Sequence, residues 1–189
     1  GWGHVTYQLY DTADGIGTFD PAADISAAAA AVAAMTDTPP ADPAALTPLT
    51  LPPGGSAVVW RHDGADTVGA LSLLLEAFSP QMLSGLWLRL TFDGADAPQV
   101  EAPIGTFFGC EYGRSPAVLR TALLTADIPA AGGTARFAHR FPMPFFRCAR
   151  LEVCNRLDVP VRAAAGVTIT GRVYPQKGTG YFRSSPYYP

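Results

Sequence analysis

The feature that most constrains this chain is a two-residue alternation that recurs along its length. In residues 159–173, Val159, Val161, Ala163, Ala165, Val167, Ile169 and Val173 fall on one face and Arg162, Thr168, Thr170 and Arg172 on the other. Successive strand side chains point to opposite faces, so this pattern predicts a half-buried strand and argues against a helix. Residues 86–92 repeat it, with Leu86, Leu88, Leu90 and Phe92 set against Trp87, Arg89 and Thr91; so do Ala149, Leu151 and Val153 against Arg150, Glu152 and Cys154. "AVVW" (57–60) and "VGALSLLLEAF" (68–78) flank a polar turn, while Pro103 and Gly105 reduce 99–109 to an edge strand or loop. "AVLRTALL" reads equally as strand or short helix. With 19 glycines, 18 prolines and only 15% charged residues, the chain is turn-rich and apolar. The expected class is all-β, a sandwich of the jelly-roll type.

The N-terminal part has a different composition. Residues 4–10, "HVTYQLY", predict a strand within a segment 1–19. From 20 to 55 the chain is rich in Ala, Pro, Asp and Thr, and "ISAAAAAVAAM" has high helix propensity behind Asp20 and Pro21. This predicts one short helix and a proline-rich linker, the helix depending on docking for its stability. The jelly-roll domain is expected over 56–176, with a tail at 177–189. Gly1 in place of Met is compatible with processing or trimming upstream, and the compartment stays open.

A net charge of −3 gives no electrostatic reason to expect nucleic acid or an anionic membrane as partner. No apolar run approaches the ~20 residues of a spanning helix, and the first residues lack a signal-peptide pattern. Cys110, Cys148 and Cys154 are odd in number and lack zinc-ligand spacing. Cys148 and Cys154 on one strand would lie about 20 Å apart, too far to pair; buried free thiols are the expected state, with a disulfide involving Cys110 the alternative. His4, His62 and His139 are scattered, no Gly-x-Ser-x-Gly occurs, and "GTG" at 178–180 is too short for a phosphate loop. No metal and no cofactor are expected.

Glycoside hydrolysis uses two carboxyl groups, about 5–5.5 Å apart for retention and roughly 6.5–9.5 Å for inversion. Around the central strands only Asp93 and Glu101 offer such a pair. Asp93 before Gly94 suits a turn, and Glu101 suits a bond to an arginine or backbone amides, or a ligand contact. Phe107, Phe108, Phe141, Phe145 and Phe146 suit core packing or stacking on a sugar. Arg147 and Arg183 suit an ion pair, with Glu101 as one partner, or contact with sugar hydroxyls.

"LRLTFDGADAPQVEAPIGTFFG" (88–109) followed by "FPMPFFRCARLEVCN" (141–155) resembles the paired signatures of glycoside hydrolase family 172, long treated as a domain of unknown function. The first motif matches at Arg89, Asp93, Gly94, Pro98, Val100, Glu101, Pro103, Gly105, Phe107, Phe108 and Gly109. The second matches at Pro142, Met143, Pro144, Phe145, Arg147, Ala149 and Asn155. "GYFRSS" (180–185) is similar to a later Tyr-Phe-His-Ala segment, and the opening "WGHVTYQLYDTADGIGTF" to a strand joining two jelly rolls. The resemblance implies tandem jelly rolls, trimeric assembly and action on α-D-fructofuranosides or D-arabinofuranosides. Thr106 replaces the usual acid between Gly105 and Phe107, and Arg183 replaces the expected His. "KGTGYF" (177–182) lacks the Glu and Asp of the family's Gly-Thr-Gly-Thr-Glu-Asp-Tyr-Phe motif, one of the places where its catalytic glutamates are expected.

The resemblance therefore implies a furanosidase-type jelly roll whose catalytic residues are unknown. The acids would come from a larger chain or from an assembly. The alternative is a non-enzymatic structural or glycan-binding subunit. Substrate-binding candidates are Glu101, Phe107, Phe108, Arg147 and Arg183, and expected partners are further copies, a companion jelly-roll chain or a furanose-containing glycan.

Overall fold

A computed structural model describes residues 20, 22–36, 46–110 and 117–185. The strand expected at 4–10 lies outside the described residues. Among the described residues eleven strands follow a helix, α1 (Ser26–Thr36). They are β1 (Thr47–Leu51), β2 (Ser56–Asp63), β3 (Asp66–Leu75), β4 (Leu86–Phe92), β5 (Val100–Pro103), β6 (Ala117–Arg120), β7 (Leu124–Ile128), β8 (Ala135–His139), β9 (Met143–Phe145), β10 (Cys148–Asn155) and β11 (Val161–Ile169). Two single turns of helix, α2 (Met82–Gly85) and α3 (Ile104–Phe107), flank β4 and β5.

The strands form two antiparallel sheets. The larger has the order β1-β11-β3-β8-β7-β6, with β9 also paired to β3; the smaller has the order β2-β10-β4-β5. Pairs such as β1–β11, β3–β11 and β2–β10 join distant parts of the sequence, and the chain crosses repeatedly between sheets. The central order β1-β11-β3-β8 over β2-β10-β4-β5 is the double Greek-key winding of a jelly roll. The inward residues anticipated by the alternation meet in one core: Leu86, Leu88, Leu90 and Phe92 from β4, Ala149, Leu151 and Val153 from β10, and Val161, Ala163 and Ala165 from β11. Burying these apolar faces from water is the main force holding the sheets together.

Several local differences have physical causes. β1 falls at the end of the proline-rich 20–55 stretch because its Leu51 is fully buried and its backbone pairs with β11. The long alternation at 159–173 becomes a strand only over Val161–Ile169: Pro160 cannot donate to a ladder, and Gly171 turns the chain with φ +71°. Val159 and Val173 are consequently exposed. "AVLRTALL" resolves into β6 and the start of β7, and residues 99–109 into edge strand β5 followed by α3. The three thiols are free, but only Cys154 is buried; Cys110 and Cys148 are half-buried, correcting the expectation of uniform burial. Among the described residues no helix is long and apolar enough to cross a membrane.

Candidate functional site

The smaller sheet turns its inner face to the core and leaves its outer face to solvent. On that face a concavity of about 480 Å³ is lined by Arg61 and Asp63 from β2, Arg150 and Glu152 from β10, Arg89 and Thr91 from β4, and Glu101 from β5. Those from β4, β5 and β10 alternate with core residues, so the pleat that fills the core also sets their positions. Residues 94–98, between β4 and β5, form one wall through Gly94, Ala95, Asp96 and Pro98. Cross-strand register places Arg150 opposite both Arg61 and Thr91, and Arg89 opposite both Glu101 and Glu152.

Two ion-pair groups run across this floor. Glu101 Oε1 accepts from Arg89 Nε at 3.1 Å, Arg89 Nη2 at 3.0 Å and Arg156 Nη2 at 3.1 Å. The Arg156 guanidinium lies 3.5 Å from the centre of the Trp87 ring, a cation–π contact that covers this aromatic. Glu152 is held from both sides, Oε1 accepting from Ser56 Oγ at 2.6 Å and Oε2 from Arg150 Nη2 at 3.4 Å. Cys154 lies among these groups, and burial pushes its thiol pKa up.

One end of the groove is anchored by Asp93, which ends β4 with φ +58°, a left-handed conformation that Asp tolerates better than most residues. Its Oδ1 accepts backbone N–H bonds from Phe146 at 3.0 Å, Arg147 at 2.6 Å and Cys148 at 3.0 Å. Tyr181 Oη donates to Oδ2 at 2.6 Å. Burial pushes the Asp93 carboxyl upward, but the bonds from Tyr181 and the three amides outweigh it and hold its pKa below the usual aspartate range. Asp93 thus welds the first signature motif to the second. The Arg147 guanidinium donates back to the Asp93 carbonyl, completing a closed set of bonds.

A second cluster contains the remaining motif aromatics. His139, only 2% exposed, stacks on Phe107 at 4.3 Å and meets Phe108, Phe141 and Phe182. Its Nδ1 has no hydrogen-bond partner, and burial lowers its pKa to about 4, so the imidazole is neutral at pH 7. Phe107 and Phe108 are buried packing residues, while Phe141 is 36% exposed.

The five candidate residues therefore separate. Glu101 lines the groove and pairs with Arg89 and Arg156, not with Arg147 or Arg183. Phe107 and Phe108 belong to the His139 cluster, Arg147 to the Asp93 junction, and Arg183 is exposed. Sequence reasoning did not single out Arg61, Arg150 or Glu152 as groove residues. The available signal was the polar half of each alternating pattern, read across four strands whose adjacency only the winding reveals. Among the described residues no group of three or more His, Cys, Asp or Glu side chains could hold a metal ion.

The winding and the polar outer-face groove define a jelly-roll domain built to present one open sheet. A family model described as GH172 domain-like matches residues 44–165, from just before β1 into β11, and the chain belongs to that family. It is a carbohydrate-active domain related to glycoside hydrolases. No curated protein matches the chain.

Proposed function

We propose that this domain supplies a glycan-holding face to a furanoside-cleaving assembly, with the catalytic carboxylates contributed by another segment or by a companion jelly-roll chain. The observation that carries this reading is the state of the two groove glutamates. Glu101 and Glu152 lie on the strands either side of β4, each opposite Arg89, and are the two glutamates that line the groove. Their oxygens are already engaged: one of Glu101 by two guanidiniums, and both of Glu152 by Ser56 and Arg150. A general acid must hold and release a proton, and a base must reach a water. What the groove offers instead is a mixture of donors and acceptors, Arg61, Asp63, Thr91, Asp96 and Arg150, suited to the hydroxyls of a neutral sugar.

The non-enzymatic alternative, a glycan-binding or assembly subunit, is favoured by the "KGTGYF" tail. There Tyr181 and Phe182 are spent on packing, and the motif acids are missing. Self-association is supported by α1, whose described side chains are exposed although an 11-residue alanine helix is marginal alone, and by Val118, 69% exposed on edge strand β6.

Titration calorimetry with arabinofuranosyl and fructofuranosyl oligosaccharides tests the groove. Binding by the wild type is expected to weaken several-fold in Arg61→Ala and Glu101→Gln. Because the Glu101 pairs are partly exposed, Glu101→Gln should cost less than about 1 kcal/mol of stability. Absence of binding to either sugar class would sink the groove reading. Turnover of aryl furanosides by the chain alone, with no companion present, would overturn the assignment of the carboxylates to another segment.

A further inference from the structure

After β11 the chain runs through 170–180 without regular structure and mostly exposed, then returns to the smaller sheet at Tyr181–Ser184. There its side chains alternate as on a strand. Tyr181 stacks on Phe92 at 6.1 Å and donates to Asp93, while Phe182 turns the other way onto Phe107, His139 and Phe141. Ser184 forms a parallel bridge to Val100: the Glu101 N–H donates to its carbonyl at 2.9 Å, and its own N–H donates to the Gln99 carbonyl at 3.2 Å. The returning segment thus covers the outer edge of β5, which would otherwise be open.

These contacts fall on both ends of the groove wall. Asp93, where the 94–98 loop begins, is held by Tyr181; Gln99, where it ends, is held by Ser184, as is the backbone of Glu101 on the groove floor. Gln99 adds a brace of its own, its Oε1 accepting from the Phe92 N–H at 2.8 Å. We propose that residues 181–184 are a detachable clasp that sets the shape of the groove, so that ligand in the groove and the docked clasp stabilise each other. Few bonds hold the clasp, and its tether is irregular and solvent-exposed, which places it among the first parts of the fold to open. A ligand that prefers the clasped groove shifts that equilibrium, and by reciprocity loss of the clasp weakens the ligand. Tyr181 and Ser184 are positioning residues in this scheme, and the ligand half of the proposal rests on the groove reading above.

The test uses the full chain and needs no ligand for its first arm. Tyr181→Phe keeps the ring and removes only the hydroxyl that bonds Asp93. Hydrogen exchange of the Phe146, Arg147, Cys148 and Glu101 amides should quicken about tenfold, the value of one hydrogen bond to a charged group. Labelling of the half-buried groove thiol Cys148, mapped by mass, should quicken with it, while exchange in β3 and β11 stays unchanged. Ser185→Ala, an exposed neighbour, should behave as wild type. Unchanged exchange in both Tyr181→Phe and Tyr181→Ala, or an increase spread evenly into β3 and β11, overturns the clasp. In the second arm, an arabinofuranosyl oligosaccharide that binds the wild type should bind Tyr181→Phe several-fold more weakly, and equal affinity overturns the coupling. A wild type that binds no furanosyl oligosaccharide removes the groove reading and with it the ligand half of the proposal, while exchange still decides the clasp.

Discussion

Tyr181 and Phe182 are adjacent in sequence and dock onto two regions that treat a buried ionisable group in opposite ways. Asp93, 7% exposed, is an anion whose oxygens accept from three backbone amides and a tyrosine hydroxyl. His139, 2% exposed, is surrounded by phenylalanine rings, with an Nδ1 that finds no partner. Similar burial yields a charged group in one region and a neutral one in the other. The difference lies in the supply of oriented dipoles: a carboxylate that receives several donors keeps its charge, whereas an imidazole among aromatic rings gives its charge up. The first region fixes a junction between motifs, and the second fills the end of the sandwich.

The largest test removes the anion. Asp93→Ala strands the amides of Phe146, Arg147 and Cys148 and places alanine at a positive φ, so a loss of about 3–5 kcal/mol is expected in urea unfolding. Asp93→Asn tolerates the backbone conformation and should recover part of that loss. If alanine costs no more than asparagine, the hub account of Asp93 fails.

pH separates the two regions next. The His139 pKa is depressed to about 4 from 6.5, so between those values the unfolded chain binds more protons than the folded one. Stability should fall as pH drops from 6.5 toward 4, by up to about 3 kcal/mol, and His139→Phe should flatten this limb. The Asp93 pKa is depressed as well, but a carboxylate's contribution is present above its unfolded pKa near 3.8 and is lost as pH falls through the folded value. Its limb therefore begins where that of His139 ends. A wild-type stability curve flat from 6.5 to 4 would contradict the burial of a neutral imidazole.

The smallest effect is expected at Phe182. It is half-exposed and meets His139 edge-on at 5.2 Å, so Phe182→Ala admits water to the imidazole. An NMR titration should show the His139 pKa moving upward from about 4 toward 6.5, with little change in unfolding midpoint. No movement would place the source of the low pKa in Phe107, Phe108 and Phe141.

Much of this architecture was legible in the residues. The inward faces of β4, β10 and β11 follow directly from alternation, and the two motifs carry the family resemblance. Asp93 was legible only as a turn former, because Asp-Gly announces a left-handed turn but says nothing of the three amides that wait some fifty residues on. The groove was legible only in halves, since the polar faces of separate strands do not reveal which strands become neighbours.

The sequence by itself determined which side chains face inward, where proline and glycine end the strands, and which family the pattern belongs to, because pleat and turn chemistry act over a few residues. Tertiary structure decided that Arg61, Arg89, Glu101, Arg150 and Glu152 share one face, that Tyr181 closes on Asp93, and that His139 is neutral. Those outcomes depend on cross-sheet winding and on the electrostatic environment of buried groups, which arise only when segments far apart in the chain are brought into contact.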